Sequence, residues 1–586
     1  MKSVAVLACA GLFSLPAAAQ QADDPLAPLD PVPAPQTVSP PVTTPTPAPT
    51  PAPTPAPAPP PRVIPRDWRG VFAAIDAGDW EGARLGIAAM PAGPLKPYAT
   101  AKLFAARGSP VVALPDITAL LAQAPELPQA EQLSRLAVTR GATQAPAVYL
   151  PRPTIPLGQA PRRGRTRPVQ GEPAADALRI ALEPFVKVDD GPGAEALYLQ
   201  AVPTLSYEAR AEAAHRVAWI YFVAGRDADA RRIATEGRVG ATGEWAAQTA
   251  WIAGLASWRL NDCVAAYDGF REAARLGRDA EFNAAANYWT ARAAQACRRP
   301  REVSPLLRAA ARSPESFYGL LAREALGMDK RLPQSAAARD VDHVESLPNV
   351  LRAAALVGVG RRADAEELLR HQAKIGNPVH HRALIRIAAK MNLPGAQFWL
   401  AHFGPVGASS DPADRYPRPN WTPYNGWRVD PALAYAHVIQ ESNFRAEAVS
   451  PAGAVGLMQV RPGTAGDTAR ARGTGASVGT AALQDPLANI DYGQAFIELI
   501  RRNGATQGQL PKVIAAYNAG PVPVARWAYY DRGDPLLWIE SIPYWETRFY
   551  VPAVLRNMWV IQGLEGEATP TLDALAQHKW PEFPNR

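Results

Sequence analysis

The stretch AWIAGLASW at residues 250–258 returns in altered form 38 residues later as YWTARAAQA from Tyr288. An echo at that interval fits stacked helix pairs, in which each pair buries its neighbour's apolar face. The surroundings agree. From Trp68 to about Gly327 the chain reads as Ala-rich helices of roughly ten to fifteen residues joined by short polar turns, with strand signals nearly absent. The expectation is an α-superhelical solenoid over residues 66–330. A second helical block follows at 331–405, carrying NVLRAAALVGVGRRADAEELLRHQA and HHRALIRIAAKM. The helical pattern then breaks at GPVGASSDPADRYPRPN, which opens a segment at 406–563, with a tail at 564–586. A chain of 586 residues is too long for one core, so several domains are expected.

Two N-terminal segments stand outside this scheme. Residues 1–19 place Lys2 before an apolar run and then Ala17, Ala18 and Ala19, the order of a secretory signal. The protein is therefore expected in the periplasm. Residues 20–65 hold many of the 61 prolines, including TTPTPAPTPAPTPAPAPPPR. Such low complexity builds no core, and as an extended tether it spans about 140 Å. A further Pro- and Arg-rich stretch, LPRPTIPLGQAPRRGRTRPVQGEP at 150–173, reads as a solvated insertion, with an anionic contact as the alternative. No other apolar run approaches a membrane span.

Removing the signal leaves Cys263 and Cys297. In an exported protein they form either a disulfide or two buried thiols. The net charge of +7 suits an anionic partner or reflects Arg-rich composition, and no nucleic-acid motif accompanies it. The adjacent His380 and His381 lack further ligands at metal spacing, so neither a metal nor any cofactor is expected.

Chemistry concentrates in the segment after residue 406. In VDPALAYAHVIQES, Asp430 is an N-cap and Pro431 the first helical residue. The helix runs to Glu441, whose face it shares with Ala434, His437 and Val438. Apolar surroundings and the negative end of the helix both raise a carboxyl pKa, as a general acid requires. The turn SPAGAVGLMQV follows as one wall of a cleft. VIAAYNAGP brings Tyr517 and Asn518 to a helix end, and IESIPYWETRFYV adds Glu540, Glu546 and Tyr550.

In order and spacing, the series resembles the soluble lytic transglycosylases, goose-lysozyme-like peptidoglycan enzymes of glycoside hydrolase family 23. The motifs are Glu441-Ser442, Ser450-Pro451 with Gly453, Gly456 to Gln459, Ala516 to Gly520, Ile542-Pro543-Tyr544, and Glu546-Thr547-Arg548 with Tyr550-Val551. SPESFYGLLAREALG at 313–327 is similar to the end of that family's superhelical U-domain, and residues 362–400 to its linker domain. The resemblance implies a mainly α chain, a solenoid of U-domain and linker followed by a lysozyme-like α+β catalytic domain.

It implies that Glu441 protonates the MurNAc–GlcNAc glycosidic oxygen, then accepts the proton of the muramoyl C6 hydroxyl, leaving a 1,6-anhydro end. Ser450 and Gln459 would contact sugar groups and Met458 would line the cleft. Tyr517 would orient Glu441, while Asn518 and Glu546 would hold saccharide or the cleft wall. The partners implied are glycan strands and other cell-wall enzymes, met by a monomer, with exo-action. The alternatives are a hydrolytic muramidase of the same fold and a non-catalytic cell-wall scaffold.

Overall fold

A computed structural model describes residues 64–335, 341–475 and 478–584. The signal sequence and nearly all of the tether lie outside the described residues. The chain divides into two units, one running to Arg152 and including Glu345–Ile375, the other formed by Pro153–Val344 and Gly376 onward. This grouping cuts across the boundaries expected at 330 and 405.

In the first unit, five helices between Trp68 and Thr139 are joined by Pro348–Gly358 and Arg362–Ile375. Lys102 pairs with Asp364 at 2.6 Å. The Asn349 amide donates to the Glu126 carbonyl at 2.8 Å.

The second unit carries the repeat seen in the sequence. Its inner helices Tyr207–Val223, Glu244–Arg259 and Ala280–Ala296 are buried almost all round, whereas the alternating helices Asp227–Gly237 and Cys263–Leu276 bury a single face. Alanine allows close packing, and glycine closer still. A Cβ on Gly269 would sit 2.8 Å from the backbone nitrogen of Gly254, so these two helices touch main chain to main chain. Trp251, Phe270 and Trp289 fill the space beside them, with ring centres 5.2 to 6.3 Å apart. Cys263 and Cys297 form a disulfide, tying the start of one helix to the end of the next, with Cα atoms 5.5 Å apart.

The Pro- and Arg-rich stretch is exposed along much of its length, as a solvated insertion would be, yet it is also anchored. It runs between the solenoid helices and the C-terminal segment, and its partners are anionic and aromatic side chains of this same chain. The Arg163 guanidinium donates to both Glu540 oxygens, at 3.0 and 3.2 Å, and its side chain is only 5 % exposed. Trp251, Phe282 and Phe549 face the cation at 5.0 to 5.5 Å. Tyr318 adds a hydrogen bond to Glu540 at 2.7 Å. Nearby, Trp245 donates to the Arg167 carbonyl, Glu212 accepts from the Val169 amide, and Arg556 donates to the Pro161 carbonyl. A buried carboxylate needs such partners, and this stretch supplies them. Thr154–Pro156 also pairs antiparallel with Phe403–Pro405.

Residues 564–584 are likewise more than a tail. Helix Trp545–Glu565 ends at the left-handed Gly566, a second helix spans Pro570–Ala576, and Phe583 is buried. Trp559 donates to Thr571, and Lys512 lies over the Trp580 ring. Among the described residues no helix is long and apolar enough to cross a membrane.

Candidate active site

Helix Pro431–Glu441 starts where the sequence indicates. The Asp430 carboxylate accepts from the Ala432 amide at 2.7 Å, with Pro431 in the first turn. The helix packs along Trp545–Glu565 and buries every residue from Ala432 to Ile439. Glu441 is therefore delivered from a rigid core element, half-buried at its end. Asn443 and Phe444 then adopt consecutive left-handed conformations, φ +53° and +62°, turning the chain sharply. The strain is held by packing, since Phe444 is buried against Trp421 and Tyr435.

Burial raises the Glu441 pKa from 4.5 to about 7. Two side chains modulate that effect. The Tyr550 hydroxyl donates to Glu441 Oε1 at 2.5 Å, which favours the carboxylate, and the charge of Glu546 opposes it. Glu546 is itself raised by burial, and it accepts from the Asn518 amide at 2.9 Å. Asn518 in turn accepts from Thr547 at 2.6 Å. Glu441 thus feels the charge of Glu546, while Glu447 is exposed in the connecting turn.

The wall after Glu441 is a tight double turn. Val455 bridges Val449 on one side and Val460 on the other, which is the extent of regular pairing in this segment among the described residues. Ser450 Oγ accepts from the Ala454 amide at 3.0 Å, and Gln459, at φ +48°, donates to the carbonyls of Gly456 and Ala448. Both are half-buried at the surface of the turn. Asn489, fully buried, holds the turn from behind. Its amide donates to Val455 and Leu483 carbonyls, and its oxygen accepts from the Met458 amide. A side chain on Gly456 would collide with Leu483 and Asn489, which is why this position is glycine.

Two expected roles change. Met458 does not line the cleft with its side chain, which is wholly buried against Gly493, where any Cβ would meet its sulfur at 2.3 Å. Its carbonyl is the group that matters, because it accepts from the Tyr517 hydroxyl at 2.8 Å. Tyr517 thereby gives its hydroxyl proton to the wall, while its ring stays close enough to Glu441 for the two groups to interact electrostatically. The hydrogen bond to Glu441 comes from Tyr550 instead. The sequence offered Tyr550 inside a motif without a task. Nothing in the sequence marks Asn489, and the helical spacing marks His437 only as a neighbour on the Glu441 face. His437 is fully buried, its ring centre 4.4 Å from that of Tyr517 and its Nδ1 2.8 Å from Tyr550 Oη. Tyr517 and Glu546 both interact electrostatically with Glu441, Asn518 bonds Glu546, and Ser450 and Gln459 belong to the turn whose Met458 carbonyl Tyr517 holds. Among the described residues, no group of three or more His, Cys, Asp or Glu side chains is placed to hold a metal ion.

The transglycosylase SLT domain matches residues 423–535, a stretch that ends before Glu546 and Tyr550. The soluble lytic murein transglycosylase of Escherichia coli K12 is 35 % identical over 133 residues, 22 % of this chain and 20 % of that protein. The endo-type membrane-bound lytic murein transglycosylase A of Klebsiella pneumoniae is 32 % identical over 149 residues, 23 % of this chain and 73 % of that protein. The chain belongs to the lytic murein transglycosylases. As a member of that family it spans about a fifth of the length of its Escherichia coli relative in the aligned part. The fold likeness reaches further. The lytic transglycosylase Slt of Pseudomonas aeruginosa superposes over 87 % of this chain and 88 % of its own, with TM-score 0.52 and 20 % identity. The 70 kDa soluble lytic transglycosylase of Escherichia coli covers 88 % of this chain and 99 % of itself, with TM-score 0.50 and 17 % identity.

Proposed function

We propose that this chain cleaves the β-1,4 bond between N-acetylmuramic acid and N-acetylglucosamine in peptidoglycan as a lytic transglycosylase, with Glu441 as its acid and base. The observation that carries the proposal is the Glu441 carboxyl itself, raised to about 7 and half-buried at the end of a core helix. At neutral pH a large fraction of it keeps its proton, as the acid step requires.

Glu441 gives that proton to the glycosidic oxygen as the C1–O4 bond breaks. The resulting carboxylate takes the proton of the muramoyl C6 hydroxyl as the C1–O6 bond forms. The acid is regenerated, the product carries a 1,6-anhydro end, and no water is consumed. Because the nucleophile belongs to the substrate, orientation replaces a second catalytic carboxylate. Ser450, Gln459, Asn518 and Glu546 are proposed to contact sugar or shape the cleft. The Pseudomonas aeruginosa relative is described as an inactive glutamate-to-glutamine mutant, in line with one essential carboxylate.

A hydrolytic reading draws on one observation, the Glu546 charge felt by Glu441. The Asn518 amide donates to Glu546 Oε1 at 2.9 Å, which ties that carboxyl to the neighbouring helix end, and we favour the reading in which it holds the cleft wall. Action is proposed in the periplasm, reached through residues 1–19. The solenoid helices of the second unit, held to the C-terminal segment by pairs such as Arg292 with Asp534, would favour glycan ends and hence exo-action.

Digestion of purified sacculi by wild type and Glu441→Gln, followed by product mass analysis, tests the whole reading. Anhydro ends are lighter than reducing ends by one water. The variant should lose roughly 10²- to 10⁴-fold in rate, about 3 to 5 kcal/mol of barrier. Reducing ends as the main product would establish hydrolysis, and near-normal turnover by the variant would remove Glu441 from its role.

A further inference from the structure

We infer that His437 is a positioning residue for Glu441, acting through Tyr550 to dictate which carboxyl oxygen carries the acidic proton. The inference rests on the proposed acid and base role of Glu441.

Three side chains lie in series. His437 Nδ1 is 2.8 Å from Tyr550 Oη, and Tyr550 Oη is 2.5 Å from Glu441 Oε1. Tyr550 has one hydroxyl proton to serve two neighbours. If His437 carried its proton on Nε2, Nδ1 would accept from Tyr550, and the phenol oxygen would turn a lone pair toward Glu441. That is tolerable only while Glu441 is protonated and donates to it. Once Glu441 ionises, two acceptors would face each other at 2.5 Å. In addition, Nε2 is buried with no hydrogen-bond partner among the described residues, and a stranded N–H donor costs more than a stranded lone pair. With the proton on Nδ1, His437 donates to Tyr550 and Tyr550 donates to Glu441 in both of its charge states.

The imidazole is suited to this task. It is fully buried, lies against the Tyr517 ring, and belongs to the same helix as Glu441 one turn earlier. Burial holds it neutral, lowering its pKa to about 3.

The consequence is directional. Because Oε1 always accepts from Tyr550, the proton of the neutral acid resides on Oε2. That oxygen gives it to the glycosidic oxygen and later takes the C6 hydroxyl proton. Without the His437 donor the phenol is free to rotate, and Glu441 can spend its proton on Tyr550 instead of on substrate.

Two measurements on the full chain decide the matter. The first compares kcat and KM on solubilised, uncrosslinked glycan strands for wild type, His437→Leu and His437→Asn, with melting temperatures alongside. The Asn side-chain N–H can replace the Nδ1 donor, whereas Leu cannot. The Leu variant should lose roughly 10- to 100-fold in kcat at near-constant KM, and Asn should regain most of it. Equal losses in both variants at unchanged melting temperature overturn the inference. The second is the long-range ¹H–¹⁵N correlation of histidine-labelled protein, assigned with the Asn variant. Protonated Nδ1 with bare Nε2 supports the series, and protonated Nε2 overturns it. This spectrum reads the network whether or not the glycan reaction occurs. Absence of product from wild type would count against the functional reading alone, and loss of folding in the Leu variant leaves the spectrum to decide.

Discussion

Replacing Glu441 by Gln should stabilise the folded chain at alkaline pH while abolishing its proposed chemistry. An unfolded glutamate ionises around 4.5, but in the folded state burial and the Glu546 charge defer ionisation to about 7. Between these values the native state binds more protons than the unfolded one, so stability falls as pH rises. The sign is that of a raised carboxyl: its contribution is complete below 4.5 and is lost as pH passes about 7. A gap of about 2.5 units at about 1.4 kcal/mol each gives roughly 3 kcal/mol, and partial exposure of Glu441 reduces this to about 2 kcal/mol. Gln does not titrate, and its amide oxygen can still accept from Tyr550. The variant should therefore match wild type near about pH 4 and exceed it above about pH 8. Thermal unfolding followed by tryptophan fluorescence at both extremes measures the difference. An advantage equal at both pH values, or larger in acid, would refute the claim that Glu441 is held in an environment hostile to its charge.

Tyr550→Phe removes a donor to the carboxylate, so the alkaline limb of the kcat/KM profile should move up by about one pH unit, a movement toward acid being the contrary result. Arg163→Met strands Glu540 in the interior and should cost about 3 to 5 kcal/mol of unfolding free energy, part of which Glu540→Gln in the same chain should restore; denaturant titration of the single and double variants checks both. Cys263→Ser with Cys297→Ser opens a link across 34 residues of sequence and should lower stability by about 3 kcal/mol, with no change in muropeptide release per folded molecule.

Local signals were the legible ones. Asp430, Pro431 and the apolar helix behind Glu441 follow from residue types a few positions apart, and so do the stacked Ala-rich helices of the solenoid. What the sequence hid depends on partners far along the chain. The Arg163 stretch looks solvated because its prolines and arginines are visible and Glu540, Trp251 and Phe549 are not. Met458 illustrates the ambiguity of a flexible apolar side chain, equally at home in a cleft or a core, until Gly493 opens a recess for it. Tyr517 and Tyr550 are alike in composition, and only geometry shows which hydroxyl reaches Glu441. Cys263 and Cys297 could be paired only once the two helices were seen side by side.

The Arg163–Glu540 contact also bears on how the molecule comes into being. Its two ends are separated by 377 residues, so the arginine leaves the ribosome long before its counterion exists. Contacts between distant parts of a chain close late. The aromatic cage around Arg163 waits for a carboxylate encoded 377 residues later. The C-terminal segment is consequently not a module to be cut free or grafted elsewhere: a fragment beginning after Pro173 would carry Glu540 into its interior with the balancing charge left behind on the discarded half.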